Sequence, residues 1–329
     1  MKRFWALTLV WMLMWAVVPA SAEFDDMEDL DYWYEQMYTL SEEIGCRPVG
    51  SEAELAAMAF VRDELLELGY ETVTEYDVSN SQAKTLEAVK PAAGQAKQIL
   101  VVCAHYDNAP PVTRNGESVP VPGARDNASG VAAMLAMARE FAEMPAFEET
   151  ELRFVAFTSE ETGHQGSQAY VAAMTQEELA LIAGAFNLDL ITVDVWLSEH
   201  VFSVDTMGMR TENGYVDGTE DAPAVNKVAR AIIAAMTELE DFVMPDENGS
   251  AYCVPRHLGM SDHDSFHFAG VDSANIAFRG NEEEGGSWHP YMHEADDGIG
   301  DFDWERTYQT LHTVYTALVS LAADPAYGD

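Results

Sequence analysis

The chemistry open to this chain rests on imidazoles and carboxylates that follow apolar runs. His105 and Asp107 come after Val101-Val102-Cys103-Ala104, and Asp126 sits in Gly123-Ala124-Arg125-Asp126-Asn127-Ala128-Ser129-Gly130. Glu160 and Glu161 follow the run Phe154-Val155-Ala156-Phe157, Asp189 closes Asn187-Leu188-Asp189, and His293 precedes Asp296-Asp297. Imidazole and carboxylate together suit zinc, and two zinc ions about 3.5 to 4 Å apart can share one bridging carboxylate. Charge sets how many ions fit. Asp126, Glu161 and Asp189 carry three negative charges, which two divalent ions and a hydroxide balance; a single ion would leave a buried, net-negative cluster. The ligand candidates are therefore His105, Asp126, Glu161, Asp189 and His293, around two Zn2+.

Each motif alone is weak. A lone His-x-Asp is commonly a satisfied pair, and adjacent glutamates are commonly a solvated face. Here polar residues recur just past apolar strands, where open α/β sheets bind ligands. Among nine histidines, His289 competes with His293 but lacks its Asp-Asp sequel. His263 and His267 stand four apart, yet no His-Glu-x-x-His occurs, and His263 is expected behind the ligands or beside substrate. His164, His200, His257 and His312 read as ordinary surface or core residues. Tyr252 is a candidate hydrogen-bond donor to an oxyanion.

These residues need a sheet to bring them together. Gln98 to His105 reads as a buried strand, and Leu152 to Thr158 and Gly184 to Leu190 as two more, each ending at candidate residues. The spacing of Leu30, Trp33, Met37, Leu40 and Ile44 predicts a helix over 27–44. Ser51 with Glu54 three residues on predicts a capping box opening a second helix that stops at Gly69. Further helices are expected after Asp126, over Val225 to Leu239 and from Trp304 to Leu318, with strands at Tyr70 to Val78 and Ser273 to Phe278. Residues 80–97 read as a polar connection. Residues 108–122, with four prolines and Gly116, read as a surface loop that could wall a cleft. Alternating strands and helices predict an α/β fold: a mixed, mostly parallel central sheet with helices on both faces.

Length and composition fit a single large domain: 329 residues, 48% hydrophobic. Lys2 and Arg3, the apolar run Phe4 to Val18 and then Ala20-Ser21-Ala22 form the three regions of a secretory signal peptide, cleaved after Ala22. The expected units are the leader 1–22 and one catalytic domain, 23–329, exported or periplasmic, with no membrane anchor after removal of the leader. Fifty-seven acids against 17 bases give a net charge of −40, which argues against nucleic acid and anionic membranes as partners. Ions screen such self-repulsion. The melting temperature should therefore rise with added salt in a thermal scan, and a flat or falling dependence would contradict this. Of three cysteines, Cys103 reads as a buried thiol, while Cys46 and Cys253 could pair after export.

Taken together, Ala104-His105-Tyr106-Asp107, Gly123 to Gly130, Ser159-Glu160-Glu161-Thr162-Gly163 with Gly166-Ser167, Asn187-Leu188-Asp189, Ser261-Asp262-His263 with Phe266, and His293 with Asp296-Asp297 resemble the exported zinc aminopeptidases that carry a co-catalytic zinc pair, bacterial leucyl aminopeptidase and its relatives. Arg47-Pro48-Val49-Gly50-Ser51 is similar to the family's approach to its first long helix. The resemblance covers most of the mature chain, in order. It implies a zinc-exopeptidase fold and hydrolysis of residues from peptide or protein N-termini. It also implies one zinc on His105 and Asp189, the other on Glu161 and His293, and Asp126 bridging. Asp107 would fix the tautomer of His105, and Glu160 would be the general base that passes a proton from the attacking water to the leaving amine.

Three features depart from the family pattern. Arg125 puts a cation beside the bridging position and is expected to point away or to contact substrate. Asp194 rivals Asp189, and the loop 108–122 is long. Two other functions stay in view: a single-zinc glutaminyl cyclase on a similar scaffold, and a binding ectodomain on a dead one, as in the transferrin receptor.

Overall fold

The computed structural model describes residues 28–197, 200–205, 210–211, 214–215, 226–238, 261–280 and 288–327. The expected leader 1–22, Tyr252, Cys253, His257 and the side chain of His200 lie outside the described residues. The strands are β1 Val73–Asp77, β2 Lys84–Lys90, β3 Gln98–His105, β4 Val112–Arg114, β5 Glu117–Val119, β6 Thr150–Phe157, β7 Ile182–Leu188, β8 His200–Asp205, β9 Arg210–Thr211, β10 Gly214–Tyr215 and β11 Ser273–Gly280. The helices are α1 Glu28–Tyr38, α2 Glu52–Glu67, α3 Ser129–Glu143, α4 Gln165–Ala173, α5 Gln176–Leu181, α6 Lys227–Glu238, α7 His263–Phe268 and α8 Trp304–Ala323.

Seven strands form one sheet in the order β1-β2-β6-β3-β7-β11-β8. The middle four, β6, β3, β7 and β11, run parallel, and β1, β2 and β8 are antiparallel to their neighbours. This is the mixed α/β sheet expected from the sequence. β3 is buried along its whole length, and its side chains alternate between two cores. Leu100, Val102 and Ala104 face a core built with α1, α2, α3, α6 and α8, while Ile99, Val101 and Cys103 face a smaller one with Tyr170 of α4 and Phe266 of α7. A strand buried on both faces needs a continuous apolar run, which β3 has. From β3 the chain returns as β6 on one side and then as β7 on the other, so the carboxyl ends of three adjacent parallel strands open at a topological switch point.

Several local expectations are corrected. Residues 80–97 are not merely a connection: Lys84–Lys90 pair with both β1 and β6. Charged residues in that strand obscured its alternation, in which Leu86 and Ala88 enter the larger core. The stretch 108–122 is not all surface, because Asn108 and Val121 are buried and β4 and β5 form a hairpin between them. The capping box at α2 is half formed. The Ser51 hydroxyl accepts from Glu54 N at 3.0 Å, but the buried Glu54 carboxylate accepts from Gly50 N and the Ser81 and Thr158 hydroxyls instead. The helix over 27–44 widens into a π-helical segment at Thr39–Ile44.

Where α1 packs on α3, Glu140 meets Asp29. Burial, reinforced by the Asp29 carboxylate, raises the Glu140 pKa from 4.5 to about 7. Between those two values the folded state holds a proton that the unfolded state has released, so stability falls as pH rises through that window. Glu140→Gln should flatten this slope, raising the melting temperature at about pH 8 and changing it little at about pH 4. Parallel pH–melting profiles of the two proteins would contradict the assignment.

Candidate metal centre

The carboxyl ends of β3, β6 and β7 deliver His105, Glu160 with Glu161, and Asp189 to one edge of the sheet. Asp126 arrives on the irregular turn between Gly123 and α3, where the Asp126–Asn127 peptide is cis. Asn127 ties this turn to the end of β7, its amide donating to Leu188 O at 2.8 Å and its oxygen accepting from Gly130 N. Gly130 is required by contact: a Cβ there would lie 2.1 Å from Leu188 O.

Two groups of potential ligand atoms result, His105 with Asp126 and Asp189, and Asp126 with Glu161 and His293. His105 Nε2 lies 3.4 Å from Asp126 Oδ1 and 3.7 Å from Asp189 Oδ1. His293 Nε2 lies 3.1 Å from Asp126 Oδ2 and 3.0 Å from Glu161 Oε2. Asp126 thus offers one oxygen to each group. His105 and Asp189 are buried, whereas the His293 side chain is 49% exposed and its backbone is left-handed at φ 60°.

The donors carry the marks of a cation site. Among the described residues, Glu161 Oε1 and Asp189 Oδ1 are buried without a hydrogen-bond partner, an arrangement that costs free energy unless a cation satisfies it. Burial works to raise Asp126, but the His105 and His293 imidazoles hold it well below the carboxylate range. Glu161 is raised to about 7 by burial and by Asp126. Hydrogen bonds to Asp126 and Glu161 push His293 up to about 11. Such a cluster has more negative charge than imidazole can balance, which is the condition a divalent ion relieves.

Asp107 differs from its expected placement. The group nearest His105 Nδ1 is the Asp107 backbone oxygen at 3.1 Å, with the carboxylate at 3.7 Å. The carboxylate instead accepts the backbone N–H groups of Glu160 and Glu161, at 3.1 and 3.2 Å. The cause is the parallel pairing of β3 with β6, which puts the residue after one strand beside the turn after the other. Glu160 is itself buried. That burial, with Asp262, Asp189 and Glu161 nearby, raises its pKa well above normal against the pull of His105.

The rivals among the sequence candidates turn out to be partners of one another. Arg125 points away from the centre and forms a bidentate pair with Asp194, Nε to Oδ2 at 2.9 Å and Nη2 to Oδ1 at 2.6 Å. His289 Nε2 meets the same Asp194 at 2.9 Å. Asp194 and His289 are therefore turned away from both ligand groups, which contain Asp189 and His293. His263 is buried on α7 and belongs to neither group. His164 lies 3.4 Å from Glu160, so it is not a remote surface residue.

Two further residues organise the centre. Arg47 is fully buried and donates to five carbonyls, those of Tyr106, Leu40, Gly45, Pro122 and Gly123. It therefore fastens the end of β3 to the turn that carries Asp126. Asp297 accepts Arg125 N and Asp126 N on its two oxygens, at 3.0 and 3.1 Å. The Arg47-Pro48-Val49-Gly50-Ser51 word drew attention to Arg47 without giving it a role. Asp297 was legible only as part of the Asp-Asp sequel to His293.

Comparison with known proteins agrees with this geometry. A sequence profile of Peptidase family M28 matches residues 87–318. Aminopeptidase YwaD of Bacillus subtilis is 31% identical over 229 residues, covering 70% of this chain and 42% of its own length. A Pyricularia oryzae protein named as a probable zinc metalloprotease is 29% identical, over 69% of this chain and 46% of its own length. The chain thus spans under half the length of these curated relatives. Among solved structures, a zinc aminopeptidase from Bacillus subtilis has a TM-score of 0.67 at 19% identity, covering 88% of this chain and 94% of its own. A Bacteroides thetaiotaomicron glutaminyl cyclase has a TM-score of 0.65 at 19% identity, covering 92% and 98%. These structures share the fold, and with the profile spanning most of the sheet and all five candidate ligands, the chain belongs to peptidase family M28.

Proposed function

We propose that this protein is a secreted or periplasmic zinc-dependent aminopeptidase that releases residues one at a time from peptide N-termini, using two zinc ions. The observation that carries the reading is the pair of ligand groups sharing Asp126, with Glu160 beside them and outside both. One ion would be held by His105 and Asp189, the other by Glu161 and His293. The signal-peptide pattern of residues 1–22 supports export, and among the described residues no helix is long and apolar enough to cross a membrane.

When bound, the ions supply Lewis acidity: they lower the pKa of a water toward about 7 and polarise the scissile carbonyl. The rest is done by the chain. Glu160 takes the proton of the attacking water and returns it to the departing amine, a transfer favoured by a carboxyl that burial makes a better base. Asp107 grips the two amides preceding the Glu160 and Glu161 side chains, and so sets the base relative to His105. Asp126 keeps the two halves in register.

The test is a zinc count by mass spectrometry on the purified chain, together with a panel of aminoacyl-nitroanilides and N-terminal glutaminyl peptides. Two zinc ions per chain and release of free amino acids are expected. Pyroglutamate as the product would transfer the protein to the cyclase reading, and no turnover of either class would favour a binding role.

A further inference from the structure

The segment that carries His293 is pinned on both sides of that residue by one buried charge network. On the near side, Tyr291 N donates to His289 Nδ1 at 3.1 Å, which leaves the proton of His289 on Nε2, facing Asp194 at 2.9 Å. Burial and the neighbouring Arg125 lower the His289 pKa, in keeping with a neutral ring of fixed tautomer. On the far side, Arg125 Nη1 donates to Asp297 Oδ1 at 3.2 Å and to Gly298 O at 2.8 Å. Ala124 N donates to Asp297 O at 2.9 Å. Asp194 itself is fixed by the bidentate Arg125 pair and by its bridge to Phe302, over whose ring the guanidinium lies at 4.9 Å.

His293 lies between these pins, half exposed and with a left-handed backbone. It has no regular element of its own to hold it. His105 is held differently, as the last residue of β3, and Asp189 N is bonded to Ile276 O of β11 at 3.1 Å. Asp297 also accepts the N–H of the shared Asp126, but that turn has its own tie through Asn127 to Leu188 O, so the network should act more strongly on the His293 half of the centre than on the other.

We propose that His289 and Asp194, through Arg125, are positioning residues for His293 that set the zinc affinity of the Glu161–His293 half of the centre. The inference rests on the two-ion reading above. Groups behind metal ligands commonly contribute tenfold or more to affinity because they remove the cost of orienting the ligand. Here the group acts through the backbone of residues 289–297 rather than by touching the imidazole.

The test uses His289→Phe, which keeps a ring against Tyr291 and Trp196 but removes both nitrogens, and His289→Gln, which restores a donor and an acceptor. Purified proteins are equilibrated at graded free zinc set by a chelator buffer, and zinc per chain is counted by native mass spectrometry. His289→Phe should fill its first equivalent at the wild-type zinc concentration and need about tenfold or more free zinc for its second. His289→Gln should recover most of that loss. Asp194→Asn, which preserves shape, should show the same selective shift and serves if His289→Phe does not fold. If both equivalents shift together, or neither shifts, the network is only structural and the inference is overturned. A wild-type chain that never takes a second zinc would overturn the two-ion reading and this inference with it.

Discussion

Glu160→Gln is expected to lower kcat by about a thousandfold, in the middle of the range for loss of a general acid–base group, while zinc content and melting temperature stay near wild type. The substitution is close to isosteric, and the Glu160 backbone stays fixed by Asp107 at 3.1 Å. The side chain belongs to neither ligand group, so no ligand is lost. A carboxamide cannot accept the proton of the attacking water, so kcat and kcat/KM should fall together, as they do when an interaction made in the transition state is removed. Steady-state kinetics on an aminoacyl-nitroanilide with a parallel zinc count would decide it. Undiminished turnover removes Glu160 from its role, and loss of zinc would make it a ligand.

Arg47→Met should have the largest effect on stability. The guanidinium is fully buried and, among the described residues, makes no direct ion pair. It spends its donors on five carbonyls, and burial lowers its pKa to about 10. Methionine fills part of the volume but leaves those acceptors without partners, each costing on the order of 1–3 kcal/mol before relaxation. A net loss of about 3–5 kcal/mol is expected, comparable to breaking a buried polar pair. Because the bonds join the end of β3 to the turn before Asp126, zinc affinity should weaken as well. Denaturant unfolding would measure the loss, with Arg47→Lys as the control that keeps the charge but not the five-donor fork. A change below about 1 kcal/mol, the size of ordinary surface substitutions, would mean that water replaces the guanidinium.

Both predictions involve residues of different legibility. Glu160 could be read from the sequence because an acidic pair straight after a buried strand has few other places to be. Arg47 could not, since an arginine between a helix and a turn looks solvated until its carbonyl partners are known. His105, Glu161 and Asp189 belong with Glu160: apolar runs of strand length ending in polar residues imply parallel strands with a common carboxyl edge. The strand Lys84–Lys90 escaped for the converse reason, because charged side chains concealed its alternation.

The sequence by itself determined the parallel centre of the sheet, the donor types and the edge at which they gather, because side-chain burial along a strand is a local property with a fixed period. Only the tertiary structure decided that Asp194 and His289 pair with each other, and what Arg125 and the Asp107 carboxylate bind. Those choices are pairings across long stretches of chain. They depend on which strand lies beside which and on where the 288–298 segment closes over Asp126, and a charge carries no mark along the chain of the partner that will neutralise it.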